Sequence, residues 1–575
     1  MAAKNVEDLK AESNGLRGQI QADMGLPAPH VSEEAAQLLK FHGSYQQDDR
    51  DQRAARKQQG QDKAWMFMVR SKLPGGALTP EQYLEHDRIA GLFGNQTLRI
   101  TTRQGFQLHG VLKGNLKNVI HLINESGITT WGACGDVVRN TVAPAAPLKD
   151  AAHEDTQRLA RELSQRFLAR SHAYAEIWLD GVRLGSDPEE ADPIYRDRYL
   201  PRKFKIGIAI PPRNDVDVYS NDLGFIADVQ GGKVAGYTVV AGGGFGMSHG
   251  KTETYPMLAQ PLFFVARDQA VDAAVAVIAV QREFGNRSDR KRARLKYLID
   301  ERGLDWFRGE VLRRFSGPVK QPKAATFDTV GDLLGWHAQG DGRWFRGVWV
   351  QEGRIADTET VQYRSAFREI VERFQVPVRL TTNCNLLFQD VRTEDRDEID
   401  AVLGRHAVPM PESLSAVRQT AQACVALPTC GLALAESERV FPSVLDGIDA
   451  VLEELALKEE PILIRMTGCP NGCARPYNAD LAFVGRAPGK YAFYVGGSIA
   501  GDRLAGLHLK TVTLEEIPNR VRELLSDYVR HRSPGETFSA YWGRTQQTGP
   551  APRPEQFHVE LAQRAAGPKL VPIEA

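Results

Sequence analysis

The stretch "RITTRQGFQLHGV", residues 99–111, returns as "RLTTNCNLLFQDV" at 379–391, with the Arg, both Thr and the final Val in register. Self-similarity at such a distance marks a duplicated structural unit. The surroundings repeat as well. An apolar, strand-like run with a glycine turn precedes each copy, "MFMVRSKLPGG" at 66–76 and "RGVWVQEGRI" at 346–355. A helix-like stretch follows, "PEQYLEHDRIAGLF" at 80–93 and "VQYRSAFREIVERF" at 361–374. Strand, helix, strand predicts half of an α+β sandwich, and two such halves can pair about a pseudo-two-fold axis. The copies differ where chemistry can live: Arg103 is replaced by Asn383 and His109 by Gln389. The first copy reads as a cationic strand whose charge the second has lost.

The whole chain has 575 residues, 42% hydrophobic and 25% charged, enough for several packed cores. Around the repeat this predicts an N-terminal arm over 1–64, a first half over 65–131 and an intervening domain over 132–330. A second half over 331–406 and a C-terminal domain over 407–575 complete the division. The arm is polar and charge-rich, "FHGSYQQDDRDQRAARKQQGQDK", and reads as an extended interaction segment. Lys plus Arg and Asp plus Glu both total 72, so no global charge points to nucleic acid or an anionic membrane. There is no apolar signal segment at the start and no run of about 18 apolar residues. The expectation is a cytoplasmic protein whose six cysteines stay reduced and available for metal or redox chemistry.

Four of those cysteines form two pairs. Cys424 and Cys430 stand five residues apart in "ACVALPTCGLALAESER", and Cys469 and Cys473 three apart in "RMTGCPNGCARPYNADLAFVG". Four thiolates make a soft site, suited to an iron-sulfur cluster or zinc. The five-residue gap counts against structural zinc, whose paired ligands are usually closer, whereas a 4Fe-4S cluster tolerates looser spacing. "GLALAESERVF" after Cys430 reads as a helix whose N-terminus would favour the cluster's negative charge. Cys134 and Cys384 read as packed thiols.

The cations come next. "PRKFK" supplies Arg202, Lys203 and Lys205, the two lysines at i and i+2 and so on one face of an extended segment. With Arg70, Arg103 and Arg139 they would build a pocket for small anions or a polycarboxylate cofactor. "GGGFG" at 242–246 lacks the dinucleotide fingerprint, since His249 stands in the last glycine's place, and no P-loop occurs. Electrons for a redox reaction are therefore expected from a partner protein. The rival reading is a non-catalytic scaffold stabilised by zinc or a cluster.

These motifs, from "ESNGLRGQI" and "FHGSYQQDDRD" through "VRSKLPGG", "TTRQGFQLHG", "YLPRKFK" and "GNRSDRK" to "ACVALPTC" and "MTGCPNGC", resemble the sulfite and nitrite reductase family over nearly the whole length. The resemblance implies a three-domain, pseudo-two-fold α/β (α+β) fold with duplicated ferredoxin-like halves and siroheme at their junction. It implies a 4Fe-4S cluster on Cys424, Cys430, Cys469 and Cys473, the last also the axial ligand of the siroheme iron. It puts Arg70, Arg139, Lys203 and Lys205 over the open face of the siroheme, to neutralise a bound anion and supply protons. Arg99, Thr101, Arg103, Gln107, His109, Arg202, Arg294 and Asn471 fall where the family lines the cofactor. Sulfite enzymes of the family carry both lysines of "RKFK", whereas nitrite enzymes place Asn at the second. Lys205 thus implies sulfite as substrate, reduced to sulfide in assimilatory sulfur metabolism, with nitrite reduction to ammonia as the alternative. The implied donor is an NADPH-dependent flavoprotein subunit or a ferredoxin.

Overall fold

Neither half of the repeat completes its own sheet. In the computed structural model, which describes residues 5–170, 177–179, 182–184, 192–546, 556, 557 and 561, each half lends the other its edge strand. The ends of the arm and of the C-terminal domain expected above lie outside these residues. The first sheet runs Ser44–Asp48, Trp65–Arg70, Phe106–Val111, Leu98–Ile100, and closes with Arg354–Ile355 from the second half. The second runs Gly335–Ala338, Trp344–Val348, Leu386–Val391, Val378–Leu380, and closes with Ala77–Leu78 from the first. Arg354 pairs with Arg99, and Ala77 with Arg379, so each exchanged strand covers an edge that would otherwise be open. The turn into each exchanged strand needs positive φ: Gly75 and Gly76 at 62° and 76°, Glu352 and Gly353 at 52° and 70°. A Cβ on Gly76 would lie 2.3 Å from the Leu380 carbonyl oxygen, which fixes glycine there.

Helices Pro80–Phe93 and Tyr363–Phe374 form where the sequence places them, the first opened by a Thr79–Gln82 capping box. One buried core joins the halves, with Phe67, Val69, Leu98 and Leu108 packed in the same cluster as Val378, Leu380, Leu386 and Phe388. The Arg-Thr-Thr stretch is a hairpin rather than the strand expected. The Thr101 hydroxyl accepts from the backbone N–H of Arg103 (3.3 Å) and Gly105 (3.2 Å), turning the chain over 101–105. Arg103 and Asn383 therefore stand in turns, and Thr101 with them.

A second duplication escaped the sequence reading. Ile206–Ala209 runs parallel to Leu223–Gln230, which continues antiparallel through Lys233–Ala241 and Gln260–Ala266. Ile464–Thr467 likewise runs parallel to Leu481–Ala487, followed antiparallel by Lys490–Val495 and Gly506–Thr513. The helix expected directly after Cys430 begins only at Phe441. The intervening Leu434 and Ala435 spend their N–H groups on the Gly468 carbonyl (2.8 and 3.0 Å), binding the two cysteine loops together.

The arm is built into the body. Ser44–Asp48 is the outer strand of the first sheet. Lys10, buried in helix Val6–Glu12, donates to the Leu200 carbonyl at 2.9 Å and bonds Glu7. Among the described residues no helix is long and apolar enough to cross a membrane.

Candidate active site

The first sheet has two unlike faces. Val69, Leu108 and Leu98 pair in register and are buried in the core. One residue along, Arg70, Gln107, Arg99 and Arg354 form a row across four of the sheet's five strands. A strand alternates its side chains between faces, so this row and His109 share the polar face. Glu438 compensates part of it, accepting from Arg354 Nε at 2.7 Å and Arg99 Nε at 3.1 Å. Arg99 also donates to the Ala423 carbonyl at 2.9 Å, beside Cys424. Its guanidinium thus joins the first sheet to the cysteine-bearing domain.

The remaining donors lack partners. Arg70 Nε, Arg103 Nε and both ring nitrogens of His109 are buried without a hydrogen bond. Burial, with Arg354 nearby, pushes His109 down to about 3, so the ring is neutral. Arg103 is anchored by Asn221 and by the Asn140 and Ile206 carbonyls. Burial together with Arg139, Arg475 and Arg294 still pushes its guanidinium down to about 9.

The "PRKFK" segment meets this face just before strand Ile206–Ala209. Phe204 is buried at 1% exposure, and its neighbours Lys203 and Lys205 are half-buried on the other side. Neither ammonium makes a hydrogen bond among the described residues. Lys203 is pushed down to about 7 by burial and by Arg202 and Arg294, while Cys473 acts in the opposite sense. Lys205 lies well below the usual lysine range through burial and Lys203. Arg202 falls to about 10 by burial and the charge of Arg290. Arg294 is held bidentate by Asp222 at 2.9 and 2.8 Å, and the same carboxylate accepts from the Lys205 backbone N–H at 2.8 Å. Arg139 folds back onto the Gly135 and Ala133 carbonyls at 2.8 and 3.2 Å.

The four cysteines gather beside this cationic wall. The Cys424 sulfur accepts from the Gly468 N–H at 3.3 Å, and the Cys469 sulfur from Asn471 Nδ2 at 3.5 Å. Asn471 is thereby placed on the Cys469 thiol. A Cβ on Gly468 would lie 2.5 Å from the Ala435 carbonyl oxygen, so only glycine lets the loops meet. Burial and then the neighbouring Cys473 raise Cys424, Cys430 and Cys469, with Cys469 pushed up to about 12. The Thr102 hydroxyl donates to the Cys473 carbonyl at 3.2 Å, tying the first hairpin turn to the cysteine loop.

Sequence reading missed Asp222, Asn140, Asn221 and Glu438, which lie in unremarkable turns and act only through distant contacts. It also missed Lys72, whose buried ammonium has no partner and is pushed down to about 8 by burial.

Four grouped thiols beside a wall of cations, of which Arg70, Lys203 and Lys205 have no anionic partner among the described residues, suit a redox centre with an anionic cofactor and an anionic substrate. The comparisons give the family. The domain described as "Nitrite and sulphite reductase 4Fe-4S domain" matches residues 134–319, and "Nitrite/Sulfite reductase ferredoxin-like half domain" matches 58–126 and 337–406. Sulfite reductase (NADPH) hemoprotein beta-component of Staphylococcus haemolyticus is 44% identical, over 96% of this chain and 97% of its own. The protein of the same name from Anoxybacillus flavithermus is 44% identical over 93% and 94%. The solved structure of Mycobacterium tuberculosis NirA protein shares the fold, with a TM-score of 0.77 at 23% identity over 94% of this chain and 97% of that one. The chain belongs to the nitrite and sulphite reductase family. The unpartnered donors and the thiol set fit the siroheme and 4Fe-4S cluster that this family carries.

Proposed function

We propose that this chain reduces sulfite to sulfide with six electrons, using siroheme and a 4Fe-4S cluster. One observation carries the reading: buried cations without anionic partners adjoin Cys473, in a chain 44% identical to sulfite reductase hemoproteins over nearly its full length. The cluster and siroheme supply electron storage and an open iron coordination position when bound.

The chain's own residues do the rest. Cys424, Cys430, Cys469 and Cys473 would hold the cluster, with Cys473 as the thiolate that siroheme would share. Arg103, Thr101, Gln107, His109, Arg202 and Arg294 meet the siroheme periphery, where carboxylates would satisfy the free donors. Arg99, engaged by Glu438 and the Ala423 carbonyl, positions the cluster domain instead. Arg70, Arg139, Lys203 and Lys205 bind the sulfite dianion. Its reduction also takes up protons and releases its oxygens as water. An ammonium held near pH 7, as at Lys203, is suited to deliver them. The donor is a flavoprotein using NADPH, a reading supported by the NADPH in the relatives' name and by their description as a beta-component, and a cytoplasmic setting keeps the thiols reduced.

The test is the visible spectrum of purified protein, followed by sulfite and a one-electron reducing dye. Siroheme bands that respond to sulfite, with sulfide released, are expected. Protein that stays colourless after reconstitution with both cofactors would return the scaffold reading.

A further inference from the structure

The motif "GNRSDRK" at 285–291 has no part in the site described above, and the fold gives it one. Arg287 donates to the Glu7 carboxylate of helix Val6–Glu12 and to the Tyr199 carbonyl, the latter at 2.8 Å. Arg290 is bidentate on Asp136 at 2.6 and 3.0 Å. Lys10 stands between these two pairs, bonded to Glu7, 3.6 Å from Asp136 and donating to the Leu200 carbonyl at 2.9 Å. The Lys10 side chain is 0% exposed and that of Asp136 2%, so three distant parts of the chain meet in a buried ion cluster.

The cluster closes on the two segments that carry the substrate cations. Asp136 lies three residues before Arg139, and Leu200 three before Lys203. From that point the segments run side by side. The Asp136 carbonyl accepts from the Leu200 N–H at 3.0 Å, the Val137 carbonyl from the Phe204 N–H at 3.0 Å, and the Phe204 carbonyl from the Arg139 N–H at 2.8 Å. Phe204 separates Lys203 from Lys205, so these bonds fix Arg139 relative to both lysines. Lys10 touches Leu200 and Asp136 together, at the first rung of this ladder. Desolvation offsets much of the attraction in a buried ion cluster, so added stability does not account for it; what it supplies here is a fixed spacing.

We propose that Lys10, acting with Asp136, is a positioning residue for sulfite: the N-terminal helix clasps the Arg139 and Lys203 segments at the separation the dianion requires. The proposal rests on the reductase reading for its substrate. Lys10 meets no reacting group. It acts through the Leu200 carbonyl and the Asp136 carboxylate, and Arg287 and Arg290 hold its two anionic neighbours in place. A dianion gripped by several cations is sensitive to their spacing, and a displacement of about 1 Å weakens binding sharply.

Lys10→Met and Asp136→Asn test it, each in the full-length, cofactor-loaded enzyme driven by a reducing dye. Each is expected to raise the KM for sulfite about tenfold while kcat changes by less than about threefold. Sulfite titration followed in the siroheme bands should show the same weakening without turnover. Hydrogen exchange at the Leu200, Phe204 and Arg139 amides should quicken in both variants and stay unchanged in strand Leu386–Val391 of the second half. If Asp136→Asn does not fold, Lys10→Met decides alone. An unchanged KM with unchanged exchange would overturn the clasp, as would exchange that quickens throughout the molecule in Lys10→Met. Wild-type enzyme that fails to reduce sulfite with the dye would instead sink the reductase reading, and the exchange pattern would still decide whether Lys10 holds the two segments.

Discussion

The two hairpin turns of the repeat, 101–105 and 381–385, share backbone geometry and have opposite surroundings. In the second, Asn383 donates to the Val330 carbonyl at 2.7 Å and to Asp332 at 3.0 Å. Its amide oxygen accepts from Gln422 at 2.6 Å and Arg475 at 3.0 Å. Thr381 and Asn385 complete the shell on Asp332. In the first, Arg103 and His109 keep buried donors with no protein partner. A polar group buried without a partner costs free energy, so the first turn is stable only with something to fill it. The second is filled by the chain itself. The duplication therefore gave two equivalent positions, one closed by protein and one with buried donors left unpaired.

The comparison breaks most completely at Cys473. Cys473→Ser should abolish sulfite turnover while the second turn, which does not involve it, leaves the fold intact; retained six-electron turnover would remove Cys473 from its shared-ligand role. The closed position is probed by Asn383→Arg, which buries a new guanidinium against Arg475. We expect a loss of about 3–5 kcal/mol in denaturant unfolding. An unaltered midpoint would mean that the asparagine network is not what closes that side.

A smaller effect should appear in the pH dependence of stability. Lys203 and Arg103 lie below their unfolded values, at about 7 and about 9. Folded, such groups bind fewer protons than the unfolded chain, so cofactor-free protein gains stability as pH rises from about 7 toward the free-lysine value of 10.5. The negative charge that siroheme would bring into the site, on carboxylates beside Arg103 and within Coulomb range of Lys203, would favour the charged forms and lower that cost. Cofactor loading should therefore raise the melting temperature more near pH 6 than near pH 9, and an equal gain at both would show that these cations do not face the cofactor. The smallest change expected is in Lys205→Asn, a several-fold shift of relative activity from sulfite toward nitrite. If the ratio of the two rates stays constant, Lys205 does not select the substrate.

Much of this was legible in the sequence because it rests on local rules. The repeat, helix Pro80–Phe93 with its Thr79 cap, and the paired cysteines are set by periodicity, capping and spacing. The errors also have local causes. A Thr hydroxyl bonding nearby N–H groups bent an apparent strand into a hairpin, and Leu434 and Ala435 gave their N–H groups to Gly468 instead of to a helix. The second duplication carried no matching residues, only matching strand order.

The sequence by itself determined that the chain contains a duplicated scaffold, four soft ligands in two pairs, and a surplus of cations in one copy. Only the tertiary structure decided which cations are neutralised and which are not. Arg99 and Arg70 stand in the same row of one sheet, yet Glu438, more than 300 residues from Arg99 in sequence, takes up only the first. Whether a charge is free depends on what the folded chain brings beside it, and residue type and spacing carry no record of contacts made at that distance.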